Sequence, residues 1–155
     1  MMALEHIHPM LVHFPIVFFL TLAGFDLVAW LRGACITGRS PAGNVSAGLA
    51  VLAGISAIAT MIFGDMALEA AEAAGFHDEI AEIHEGLGST AAIAFAAWAL
   101  IRAFIWWRDR QMSRGVEGAA VAIEIVGALL VIVVAYYGGQ LVYDLGVNVA
   151  HAAAG

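Results

Sequence analysis

The sequence predicts an all-α integral membrane protein, a four-helix bundle forming one domain over residues 1–155. Three observations predict it. The chain is 63% hydrophobic and 12% charged, with a mean hydropathy of +0.91; a soluble domain would be roughly half apolar and a quarter charged. Apolar stretches of spanning length recur four times, at about 9–32, 45–66, 84–107 and 118–143, and about 20 helical residues cross the hydrocarbon core. The charges also sort by side. All six arginines (Arg32, Arg39, Arg102, Arg108, Arg110, Arg114) fall at the first and third joints, and all six histidines (His6, His8, His13, His77, His84, His151) fall at the opposite ends. Arginine marks the cytoplasmic side. The expectation is therefore a multi-pass protein of a bacterial inner membrane, with both termini and the histidines facing the periplasm.

Helices are expected because lipid offers backbone polar groups no partners. The first span starts near Pro9 with no basic residue before it, and its apolar run exceeds a signal-peptide core, so it reads as a retained helix. Pro15 removes a backbone donor and predicts a kink or opened turn near His13. The joint 33–44, with Gly, Ser and Pro41, reads as irregular. The second span carries Ser56, Thr60 and Gly64 four apart, a small-residue face for close helix approach.

Helix-favouring sequence continues over 66–74 to a stop at Gly75. A second periodic run begins at Phe76, placing His77, Ile80, His84 and Leu87 on one face that leads into the third span. That span shows Ala92, Ala96, Ala99 and Ala103 on one stripe, suited to a close helix neighbour or a flat cofactor. Trp30, Trp106 and Trp107 at the arginine end, and Tyr136, Tyr137 and Tyr143 at the other, fit interfacial anchors. No internal repeat is evident.

The net charge is −7, and most acids lie on the histidine side. They read as a solvated outer face or as a docking surface for a basic periplasmic partner. Cys35 is the only cysteine, so there is no disulfide and no CxxCH for covalent haem. The chain contains no lysine, P-loop, Rossmann glycines, GxSxG or HExxH. Nucleic-acid binding, nucleotide chemistry and hydrolysis therefore have no support, and the protein reads as an electron-transfer or accessory subunit more than an independent enzyme.

His8, His13 and His84 form the first candidate site. Imidazole is the usual nitrogen ligand of haem iron, copper and zinc. His13, one turn inside span one, and His84, heading span three, are expected to face each other as axial ligands of a haem b. His8 would serve as a supporting or substitute ligand, and Gly86 and Gly88 would clear space for the ring edge. The alternative is a non-haem Fe, Cu or Zn site made by His8, His13, His84 and Asp65, with Glu85 at the same boundary. Were both helices to extend outward, His6 and His77 would pair about 10 Å further out, but Pro9 and Pro15 disturb the helix between, so His6, His77 and His151 are expected to be exposed. At the opposite end Asp26, Arg102 and Glu124 are ionisable residues within the spans, predicting a buried network that fixes packing or serves proton uptake or a quinone.

His8-Pro9-Met10-Leu11-Val12-His13-Phe14-Pro15-Ile16 resembles the HPxLVHFPI opening of a family of small bacterial four-helix membrane proteins of unknown function. Gly64-Asp65, His84 and Gly138-Gly139-Gln140-Leu141-Val142-Tyr143 extend the resemblance over essentially the whole chain. Family members commonly carry a histidine two residues after that tyrosine, where this chain has Leu145. Some members are joined to Rieske or cytochrome c modules, which implies redox company at the outer face.

The leading expectation is a small b-type cytochrome-like subunit. It would carry electrons between a quinol pool or membrane partner and a periplasmic carrier. Its rivals are the non-haem metal protein and a cofactor-free structural subunit of a larger redox or photosynthetic complex.

Overall fold

In the computed structural model, which describes residues 7–147, all regular structure is helical. The elements are α1 (Ile7–Leu11), α2 (His13–Leu31), α3 (Pro41–Ala73), α4 (Glu79–Trp107) and α5 (Arg114–Tyr143). α1 and α2 form one span, Ile7–Leu31, so four segments are long and apolar enough to cross a membrane. The protein is thus a membrane protein whose apolar surface contacts the bilayer. Val17, Ile55, Ile93, Leu100, Val126 and Ile132 point outward, more than half exposed, a surface that water would not tolerate but lipid covers.

The break between α1 and α2 falls at Val12. Pro15 has no N–H to give the Leu11 carbonyl, and the next bond, from Ile16 N to Val12 O, is stretched to 3.4 Å. Ser40 caps α3 by accepting from Gly43 N, with Pro41 at the first helical position. α3 runs to Ala73, and Gly75 closes it at φ +93°, in the left-handed region. Asp78 caps α4 by accepting from Ile80 N at 2.8 Å. That cap corrects one expectation: His77 precedes the helix and is exposed, so it does not share a helical face with His84.

α2 packs on α3 and α5, and α4 packs on the same two, so α2 and α4 stand diagonally across the bundle. The tightest seam is between α3 and α4. A Cβ on Gly54 would come within 2.7 Å of Ala99 Cβ, so the alanine stripe of α4 is occupied by a neighbouring helix, not by a cofactor. At mid-depth Phe19 and Phe95 stack across the diagonal, with centroids 3.7 Å apart and planes within 8°. The core around them is Leu22, Ala50, Ala53, Ala57, Ala91, Ala92 and Val131.

The fold has a repeat that the sequence reading missed. His8, Phe19, Asp26 and Trp30 in the first span, and His84, Phe95, Arg102 and Trp106 in the third, follow the same spacings of eleven, seven and four. The first three members of each set meet their counterparts across the axis. The tryptophans reach outward in equivalent ways. Trp30 Nε1 donates to Arg114 O at the start of α5, and Trp106 Nε1 donates to Asn44 Oδ1 at the start of α3. Two helical hairpins are thus packed about a pseudo-twofold axis. Side-chain identity has diverged so far, Asp against Arg in one layer, that only the spacing survives.

Candidate functional site

At the histidine end the residue facing His84 is His8. Their ring centroids lie 6.3 Å apart, with planes at 84°. His8 Nδ1 is 3.0 Å from Thr60 O in α3, and His84 Nδ1 is 3.1 Å from Val134 O in α5. A carbonyl only accepts, so each Nδ1 carries the proton and each Nε2 keeps a free lone pair. Among the described residues neither Nε2 makes a hydrogen bond. An imidazole fixed through Nδ1–H to a backbone carbonyl, with Nε2 open, is the usual state of a metal-ligating histidine.

Glycines seat both rings. A Cβ on Gly64 would lie 2.9 Å from His8 Cε1 and Nδ1, and one on Gly138 would lie 3.0 Å from His84 Cε1. Each glycine stands four residues, one helical turn, beyond the carbonyl that holds its histidine. The half-sites therefore obey the pseudo-twofold. Thr60 Oγ1, on the residue that holds His8, is buried without a protein partner.

The expected His13–His84 pair is corrected. His13 is exposed, and its Nδ1 lies 3.4 Å from Met10 O of its own segment. Five helical residues turn the chain by about 140°, so His8 and His13 cannot both face the axis. Asp65 is half-buried and, among the described residues, makes no side-chain hydrogen bond or ion pair, and Glu85 is exposed. Among the described residues no three His, Cys, Asp or Glu side chains gather as metal ligands, so the four-residue set with Asp65 is not assembled. Gly86 and Gly88 face open space, and Leu145 is 37% exposed beyond α5. His6 and His151 lie outside the described residues.

At the arginine end the expected triad is assembled. Arg102 Nη2 lies 2.8 Å from Asp26 Oδ2, and its Nη1 lies 3.0 Å from Glu124 Oε1. Nη2 also donates to Ile36 O, Trp98 Nε1 donates to Glu124 Oε1, and Ser46 Oγ donates to Asp26. Each of the four spans contributes, α4 twice through Trp98 and Arg102. Asp26, Ser46, Arg102 and Glu124 are buried, where an ion pair must be well hydrogen-bonded to offset its desolvation. Glu117, also buried, accepts from Ile36 N and Thr37 Oγ1 and ties the first arginine loop to α5. Asp109, at φ +49°, accepts from Arg39 N and ties the same loop to the third joint.

Gly64 and Gly138, the carbonyls of Thr60 and Val134, Ser46 and Glu117 were not singled out by sequence as parts of either site. The repeated spacing carries a signal for the two glycines. Nothing in the sequence marks the carbonyls.

No curated protein and no solved structure matches the chain. A family comparison succeeds and covers nearly the full length: residues 5–151 match the family described as Predicted membrane protein (DUF2231), and the chain belongs to it.

Proposed function

We propose that the protein is a small b-type cytochrome-like subunit of a bacterial inner membrane, holding one haem b between His8 and His84 at its periplasmic face. The observation that carries the reading is the pair itself. Two imidazoles come from diagonal spans at equivalent positions, each tied through Nδ1 and open at Nε2. Two metal–nitrogen bonds of about 2 Å, with the ring radii added, would span at most roughly 6.3 Å between the two imidazole centroids. The observed separation is 6.3 Å. Small residues at Gly64 and Gly138 let both rings lie close to the helices behind them.

The bound iron would supply one-electron exchange. The chain's own residues fix the rings, exclude lipid and hold the geometry. Thr60 O and Val134 O set the tautomers and raise the basicity of Nε2. The acidic residues near this end, among them Glu69, Glu72, Glu79, Glu82 and Glu85, favour encounter with a basic periplasmic carrier. On this reading a larger redox complex is the partner and a quinone is a candidate donor.

A second reading has its own support. The inter-ring gap fits one ion, while close α3–α4 packing leaves the alanine stripe no room for a flat group. Two imidazoles alone suit linear copper(I). A pyridine haemochrome assay with elemental analysis on purified protein, expressed with haem supplied, separates the readings. Stoichiometric haem b supports the cytochrome. Copper without a Soret band selects the ion. Neither haem nor metal leaves a cofactor-free accessory subunit and overturns both.

A further inference from the structure

The geometry points to one proton held between Glu124 and Asp26, which makes the buried cluster at the arginine end a proton-binding site as well as an ion pair. The cluster brings two carboxyl groups to one guanidinium, with Asp26 and Glu124 wholly buried and Arg102 3% exposed. Three of the four carboxyl oxygens have donors: Asp26 Oδ1 from Ser46, Asp26 Oδ2 from Arg102, and Glu124 Oε1 from both Trp98 and Arg102. Glu124 Oε2 is buried and has none. Both carboxyl groups are held by the same guanidinium, Asp26 at Nη2 and Glu124 at Nη1.

A proton on Oε2 accounts for both facts. It makes that oxygen a neutral hydroxyl, so no undonated carboxylate oxygen is left buried. It also balances charge: one carboxylate, one guanidinium and one neutral acid sum to zero, whereas two carboxylates would leave an uncompensated buried anion. Nothing else nearby supplies the missing positive charge. The groups facing the pair are Asp26 from α2, Ser46 from α3, Trp98 and Arg102 from α4, and Glu124 from α5. Glu117, two turns nearer the arginine end of α5, is an acid already engaged with Ile36 N and Thr37 Oγ1. The ligand class is a single proton shared by an acid–carboxylate pair.

Infrared difference spectra of the full chain in lipid nanodiscs at neutral pH test the assignment. The expected wild-type signal is a carbonyl band of a protonated carboxylic acid that shifts in D2O. It vanishes in Glu124→Gln and persists in the exposed control Glu69→Gln. Asp26→Asn keeps the test alive if Glu124→Gln does not fold. Removing Asp26 leaves Glu124 alone with Arg102, so the acid ionises and the band is again lost. Absence of the band from wild type, or its persistence in either cluster variant, overturns the proposal.

Discussion

The two ends of the bundle use the same diagonal of spans for different purposes. At the arginine end the diagonal pair is Asp26 and Arg102, opposite charges that satisfy each other and draw in Ser46, Trp98 and Glu124 from neighbouring positions. At the histidine end the equivalent residues are identical, His8 and His84, and each gives its Nδ1–H to a backbone carbonyl, so neither donates to the other. Each is tied only to a backbone carbonyl on the next helix. One end closes on itself; the other leaves two imidazoles 6.3 Å apart, neither bonded to the other. Between them the Phe19–Phe95 stack sets the register common to both.

The comparison breaks most severely at Arg102. Arg102→Met strands two buried carboxyl groups, and removing one partner of a buried ion pair costs about 3–5 kcal/mol. The expected outcome is little monodisperse protein after detergent extraction and loss of the cooperative thermal transition. Phe95→Ala opens the middle layer and costs about 3–5 kcal/mol, as large-to-small core substitutions do. A thermal melt should show a lowered midpoint with helicity retained at low temperature.

The next effects sharpen the functional contrast. Gly138→Ala forces a Cβ to 3.0 Å from the His84 ring, and Gly64→Ala does the same to His8 at 2.9 Å. Each should cost about 1–3 kcal/mol by overpacking. Each should also weaken metal or haem retention, measured as cofactor released during dialysis, far more than any change at the arginine end does. Trp30→Phe and Trp106→Phe remove equivalent hydrogen bonds to Arg114 O and Asn44 Oδ1. Each should lower stability by about 1 kcal/mol, and matching losses in thermal melts would support the pseudo-twofold. His13→Ala is the smallest change. His13 is exposed and bonded only locally, so stability should stay within about 0.5 kcal/mol of wild type.

Much of the architecture is legible in the sequence because the bilayer imposes it. Four apolar runs, their lengths, the continuation of α3 to Gly75 and the burial of Asp26, Arg102 and Glu124 all follow from the cost of polar groups in hydrocarbon. Depth along the helix, which sequence does give, points to His13 as the partner of His84. His13 lies deeper, but azimuth decides which side chain meets the axis, and the opened turn at Val12 shifts that azimuth where Pro15 acts. The glycine seats were partly visible. Gly64 stands out as part of a small-residue face, yet that a Cβ there would meet the His8 ring needs coordinates. The internal symmetry escaped notice because it is carried by spacing: His, Phe and Trp repeat, while Asp26 is matched by Arg102.

The most direct test is the absorption spectrum of the purified protein, expressed with haem supplied, set beside His8→Ala, His84→Ala and His13→Ala. The account predicts Soret and α bands of a six-coordinate haem b in wild type and in His13→Ala, with both lost in His8→Ala and His84→Ala. Bands that survive His8→Ala but disappear in His13→Ala would contradict it, as would a wild-type protein with neither haem nor bound metal.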